Sequence, residues 1–215
     1  MIRIVEKSDS ISWDSIAELI RISHSVNKKY NLTMKTASLT AKELAYKVNG
    51  GITYVAINEQ NQLVGTASVV PRSDNGKWYE KSKRCAFYLY LAVLPDFQGK
   101  GISTLLYKEI ERAANIRIVA DIIKSGTAQN NTAQRSNFKK NGFIPVELTS
   151  NKNVDYYSVI YVKYLDGRLP FPIWICKLLF WKSVFCYKCR YKPGKIERSA
   201  ITHYFFGVFE RLKLV

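Results

Sequence analysis

The stretch LAVLPDFQGKGISTLLYKEI, Leu91 to Ile110, constrains this chain more than any other. It continues a long apolar run, RCAFYLYLAVL, that reads as a strand covered on both faces. Apolar residues recur at helical spacing beyond Gly101, and Gly99 and Gly101 flank Lys100 in between. The first N–H groups of a helix lack partners, and glycines let an anion approach them, so this strand–loop–helix step is a phosphate cradle by physical type. Two generic phosphate loops are excluded by spacing. Leu94 stands where a nucleotide-hydrolase loop needs its first glycine, and Gly101 where Ser or Thr should follow the lysine. A dinucleotide loop needs a third glycine where Thr104 stands.

Around this step the chain alternates strands and helices. IRIVE is a short strand, and SWDSIAELIRISHSV has helical spacing through Trp13, Ile16, Leu19 and Ile20. TAKELAYKV opens with a capping box, Thr40 with Glu43. GITYVAIN and QLVGTASVV form a hairpin around EQNQ. After the cradle helix, ending near Ala114, IRIVADII reads as a strand. TAQNNTAQRSNFKKNG then gives a loop and a helix closed by Gly142, and FIPVEL and DYYSVIYVKYL are further strands. This order predicts a single α/β (α+β) domain over residues 1–165. Residues 166–215 turn aromatic and basic and read as a separate C-terminal extension.

The 215-residue chain is 47% hydrophobic and 23% charged, which excludes a disordered protein. A net charge of +16 suits an anionic ligand or surface. The N-terminus lacks an apolar signal core and no apolar run reaches the length of a membrane span, so a cytoplasmic location is expected. Cys85, Cys176, Cys186 and Cys189 do not form a disulfide framework. Cys176, Cys186, Cys189 and His203 match no standard zinc spacing, and no metal is expected. His24 is expected on a helix surface or partly buried.

The cradle resembles the acetyl-coenzyme A signature of the GNAT superfamily of N-acetyltransferases, Q/R-x-x-G-x-G/A, with Gln98, Gly101 and Ser103 at its three fixed positions. Ser103 departs from the usual Gly or Ala. NTAQRSNFKKNGF resembles the second family signature through Asn131, Phe138, Gly142 and Phe143. The resemblance spans residues 2 to 164. It implies a central mixed, mostly antiparallel sheet, splayed at the acetyl-CoA site and flanked by helices. It also implies that the N–H groups from Gln98 through Gly99, Lys100, Gly101, Ile102 and Ser103 to Thr104 receive the pyrophosphate. The pantetheine arm would bond the backbone of Leu91, Ala92 and Val93, with an N–H near Val93 polarising the thioester carbonyl. Asn131 would contact the arm, and Phe138 would pack near it or in the core.

The implied activity is direct acetyl transfer from acetyl-CoA to an amine of a small molecule or peptide. Its usual acid and base positions fall on Phe87, Gly126 and Phe138, none of which titrates. Tyr90 is the substitute acid, provided that a bulge brings it to the Phe87 face; Tyr88, Cys85 and Asp121 are weaker substitutes. The alternative is a weakly active or inactive CoA-binding module serving as a sensor or a basic scaffold. The aromatic extension is open to packing on the domain, to homodimer formation, and to membrane or nucleic-acid contact.

Overall fold

The computed structural model describes residues 1–25, 35–73, 76–81, 83–150 and 156–190. Its seven strands are β1 (Arg3–Glu6), β2 (Ile52–Ile57), β3 (Leu63–Arg72), β4 (Cys85–Val93), β5 (Ile122–Ala128), β6 (Ile144–Ser150) and β7 (Tyr157–Tyr164). They form one sheet in the order β1-β2-β3-β4-β5-β7-β6, antiparallel throughout except for β4 beside β5. The helices are α1 (Trp13–Ser25), α2 (Ala41–Lys47), α3 (Ile102–Ile116), α4 (Thr132–Lys140) and α5 (Ile173–Arg190). The mixed α/β architecture is the one expected, and the Thr40–Glu43 capping box is present on α2.

Two apolar layers sandwich the middle of the sheet. On one face Ile102, Leu106 and Ile110 of α3 pack with Ala67, Val69, Tyr88 and Ile123. On the other, Ile16 and Ile20 of α1 and Leu44 of α2 pack on Val55, Val70 and Ala92. Strand β4 serves both layers, which is why its sequence shows no simple alternation.

One element is displaced from its expected place. The strand after α3 does not begin at Ile116: α3 holds that residue, and β5 starts only at Ile122. Val119 takes a positive φ of 55°, and Ala120 N–H returns to Ala114 O at 2.8 Å. This tight turn uses up the residues whose apolar character mimics a strand.

β4 and β5 pair over three rungs only, Cys85 with Ile122, Ala86 with Ile123 and Phe87 with Lys124. Their paired end is clamped. Asp121 Oδ1 and Oδ2 accept from the Arg84 side chain at 2.7 and 3.2 Å, and Oδ2 from the Arg84 N–H at 2.8 Å. Those bonds hold the Asp121 carboxyl at about 2, well below the usual carboxylate range. At the last rung Lys124 forms a buried ion pair with Glu80 of the β3–β4 connection. Tyr79 of that connection bonds Glu147, and Tyr164 Oη donates to Tyr79 O at 3.1 Å.

α5 lies along edge strand β6. Its Cys176 and Val184 are buried, and Ser183 Oγ accepts the Leu148 N–H at 2.9 Å. Cys176 therefore packs as a buried thiol, whereas the Cys189 side chain and His203 lie outside the described residues. Among the described residues no helix is long and apolar enough to cross a membrane.

Tyr88 points into the α3 layer, where its hydroxyl is buried without a hydrogen-bond partner. An unpartnered buried hydroxyl costs about 1–3 kcal/mol. Tyr88→Phe is therefore expected to raise the unfolding temperature by a few degrees, about 2–4 °C per kcal/mol in a chain this long. A lowered midpoint in thermal denaturation would show that the hydroxyl has a partner.

Candidate functional site

Beyond Phe87 and Lys124, β4 and β5 diverge, and Ser125 Oγ bridges the start of the gap by donating to Tyr88 O at 2.8 Å. The opening leads into a cleft of about 630 Å³ that runs along β4 to the start of α3 and across to α4. Such a gap leaves backbone groups of β4 without a strand partner, so they must find others.

Part of this edge is satisfied from α1. The buried stripe of α1 runs Ile16, Leu19, Ile20, and the same helical spacing continues to Ser23 and His24. Ser23 Oγ donates to Val93 O at 2.9 Å and lies 3.2 Å from the Val93 N–H, which donates to it. The Val93 N–H expected to face a thioester thus already has a hydroxyl partner. Val93 O also accepts from Gln98 Nε2 at 3.0 Å, folding the Gln98 side chain back onto the strand.

His24 is partly buried on α1, a placement the sequence allows, and what the sequence does not show is its partners. Its Nε2 lies 3.2 Å from Leu91 O, and its Nδ1 bonds the Thr36 hydroxyl; both side chains line the cleft. A carbonyl can only accept, so Nε2 carries the proton and Nδ1 accepts from Thr36. Burial lowers the imidazole pKa below its ordinary value, and the Leu91 bond opposes this in part. The sequence did hold a signal. A buried helix stripe that ends on two polar residues needs polar partners for them.

Strand β4 carries the bulge that the Tyr90 assignment required. Thr66 pairs with Ala92 and Ser68 with Leu89, so Tyr90 and Leu91 together oppose Ala67. Tyr90 sits at φ 55°, a conformation an aromatic residue rarely adopts. The extra residue reverses its parity, so Phe87, Leu89 and Tyr90 all face the α1 layer while Tyr88 faces the other. Tyr90 lines the cleft, half-buried, and burial raises its pKa, with Arg72 opposing and Glu43 assisting.

At the far end, Gly99 and Gly101 take φ of 76° and 79°. Such left-handed residues turn successive N–H groups toward one side, forming an anion nest. Gln98 N–H bonds Pro95 O and Thr104 N–H bonds Gly101 O, whereas among the described residues the N–H groups from Gly99 to Ser103 meet no backbone carbonyl. Those five groups open α3, whose dipole adds positive potential there. Gln98, Gly99, Gly101, Ile102, Ser103 and Thr104 all line the cleft. Lys100 does not: its Nζ rests over the Phe97 ring, 4.9 Å from the centroid.

Opposite, Asn131 lines the cleft and caps α4, its Oδ1 accepting from Gln134 N–H at 3.0 Å. Phe138 lies apart from the cleft lining. It is 2% exposed, stacks on Tyr161 at 4.9 Å and meets the Phe143 ring at a tilt at 5.0 Å, a core position. Gly126 is exposed at the gap, and neither Cys85 nor Asp121 is among the lining residues.

An α/β sheet that opens beside an anion nest at a strand-to-helix turn offers a site for an extended, phosphate-bearing ligand. Residues 49–145 match the family model described as an acetyltransferase (GNAT) domain. A GNAT-family acetyltransferase from Staphylococcus aureus aligns with 77% of this chain and 99% of its own at 18% identity, with a TM-score of 0.58. The Salmonella typhimurium yncA protein, solved with its cofactor acetyl-CoA, aligns over 80% of this chain and 98% of its own, at 17% identity and TM-score 0.59. A GNAT-family acetyltransferase from Elizabethkingia anophelis with acetyl-CoA bound covers 76% and 97%, at 16% identity and TM-score 0.54. These likenesses establish the GNAT fold. No curated protein matches the chain.

Proposed function

We propose that this chain is an acetyl-CoA-dependent N-acetyltransferase acting on an amine of a small molecule or peptide. Residues 1–165 would be the transferase domain and 166–215 an extension. The observation that carries the reading is the row of five N–H groups, Gly99 to Ser103, at the end of a strand edge that β5 leaves. A pyrophosphate fits the nest, and an extended amide-bearing arm would lie along the edge at Leu91, Ala92 and Val93, exchanging with the Ser23, His24 and Gln98 side chains that hold its polar groups. Asn131 faces the same cleft from α4, with Ser103 adding a hydroxyl beside the nest.

Acetyl-CoA supplies an activated acetyl thioester, and the chain must orient it and handle protons. The Val93 N–H, held by Ser23 Oγ at the turn from strand to loop, would serve a carbonyl oxygen once the thioester displaces that hydroxyl. An incoming ammonium has to lose a proton before it can attack. His24 is kept neutral by burial, and its Nδ1 lone pair is aimed at Thr36 Oγ. A proton taken up by Thr36 Oγ passes its own hydroxyl proton to Nδ1, and the Leu91 carbonyl stabilises the imidazolium formed. Tyr90 is the donor to the leaving thiolate. A titratable route of this kind restores what Phe87, Gly126 and Phe138 lack.

The test is release of coenzyme A thiol from acetyl-CoA across a panel of small amines and peptides, with product mass checked for one added acetyl group. Acceptor-independent release alone would overturn the reading. His24→Gln is expected to lower kcat by about 10²–10⁴, the usual worth of a positioned base, and to flatten the acidic limb of the kcat/KM profile. A profile unchanged by His24→Gln would remove the base from His24. Tyr90→Phe should lower kcat with little change in KM. Stability follows the same sign. His24 has a depressed folded pKa, so folding weakens as pH falls through the ordinary imidazole value, where only the unfolded chain takes up the proton.

A further inference from the structure

α5 has two apolar faces, and the sheet uses one. Cys176 and Val184 are buried against the domain, and Phe180 packs on its core. Turned away from the sheet, Trp174, Leu178 and Trp181 remain 61%, 60% and 64% exposed, and Phe185 continues the line at 44%. Their spacing of four, three and four residues sets them in one stripe along the helix. Leu169, Phe171 and Ile173, just ahead of it, are also exposed. At about 100° per residue, Lys177 and Lys182 fall on the two opposite shoulders of this stripe.

The charge around the stripe has one sign. From Gly167 to Ile196 the sequence holds no Asp or Glu, against Arg168, Lys177, Lys182, Lys188, Arg190, Lys192 and Lys195. An apolar, tryptophan-bearing stripe with lysines on both shoulders has the chemistry of a helix lying in a bilayer interface. Its rings reach the acyl boundary, and its lysine stems extend to the headgroups. Pairing with a second copy would instead bring the lysine shoulders of two helices together, with no carboxylate on either to offset them. We infer that α5 is a membrane-docking element, seating the chain on an anionic lipid surface through Trp174, Leu178, Trp181 and their flanking lysines. The helix lies on the bilayer; it is too interrupted by charge to cross one.

The test is co-sedimentation of the full chain with phosphatidylcholine vesicles, with and without about one third phosphatidylglycerol. A net charge of +16 alone draws any protein to anionic vesicles, so charge-neutral variants must carry the decision. Binding to the anionic vesicles is expected to fall about tenfold or more in Trp174→Ser/Trp181→Ser, as loss of two buried indoles requires. Lys177→Gln/Lys182→Gln should weaken binding and reduce its salt dependence. Tryptophan emission should shift to the blue on binding. Trp174, Lys177 and Trp181 are exposed and Lys182 is partly exposed, so unchanged thermal stability is expected in both variants.

Equal binding by the wild type and the double-tryptophan variant would overturn the inference and assign the attraction to general charge. So would a dimer in sedimentation equilibrium that the tryptophan substitutions dissociate, without vesicle binding. Tryptophans already shielded from a soluble quencher before vesicles are added would assign the stripe to residues 191–215 of the chain itself.

Discussion

Acetyl-CoA at a hundred times its dissociation constant is expected to stabilise the wild-type chain by about 2.7 kcal/mol and Gly101→Asp not at all. In a chain of this length that is a rise of roughly 5–10 °C in unfolding midpoint. The comparison isolates the nest. A Cβ built on Gly101 meets nothing within 4 Å, so the substitution makes no clash. Its cost is the φ of 79°, about 1–2 kcal/mol for an ordinary residue and less for Asp, which visits this region more readily. The fold should therefore survive while a carboxylate faces the pyrophosphate from within its own cradle. Gly101→Ala is the control, paying the backbone strain without the charge and keeping part of the stabilisation. Equal stabilisation of wild type and Gly101→Asp in differential scanning fluorimetry would show that the nest does not hold the donor.

The second large effect lies at the vertex where β4 and β5 part. Glu80→Ala is expected to destabilise the chain by about 3–5 kcal/mol, because it leaves Lys124 charged and buried. Lys124 Nζ sits over the rings of Tyr79 and Phe87, 5.7 and 5.6 Å from their centroids, which shelter the cation but do not replace a carboxylate. Phe87 is the last residue of β4 to pair with β5, so the ion pair fastens the β3–β4 connection to the point from which the cleft opens. Replacing both partners, as Glu80→Leu/Lys124→Met, should recover most of the loss, since no charge is then stranded. Urea unfolding of the three variants decides it. A double substitution as unstable as Glu80→Ala would mean that Glu80 acts through other contacts of the connection.

Much of the local geometry of the candidate site is legible in the sequence. The spacing of Gly99, Lys100 and Gly101 marks a nest because backbone conformation there depends on local residues. The bulge at Tyr90 was anticipated only as the condition for that tyrosine to share a face with Phe87, and the register of β3 against β4 meets it. The start of β5 was misplaced by six residues. Ile116 and Ile118 carry the same apolar signal whether they close a helix or open a strand, and only the Ala120 to Ala114 return bond separates the cases.

What the sequence by itself determined is local: the strand, the glycine nest, the helix that follows, the capping box at Thr40, and the basic aromatic composition of the extension. Each depends on residues within a turn or two of one another, so short-range backbone preferences suffice. The tertiary structure decided what needs partners distant in the chain. It brought Ser23 and His24 to β4, some seventy residues on, because the edge abandoned by β5 leaves polar groups that α1 can satisfy. It sent Phe138 into the core, where facing aromatic rings outweigh its place in the motif. And it split α5 into a face that covers β6 and a face that the sheet leaves open, a division set by where the sheet ends.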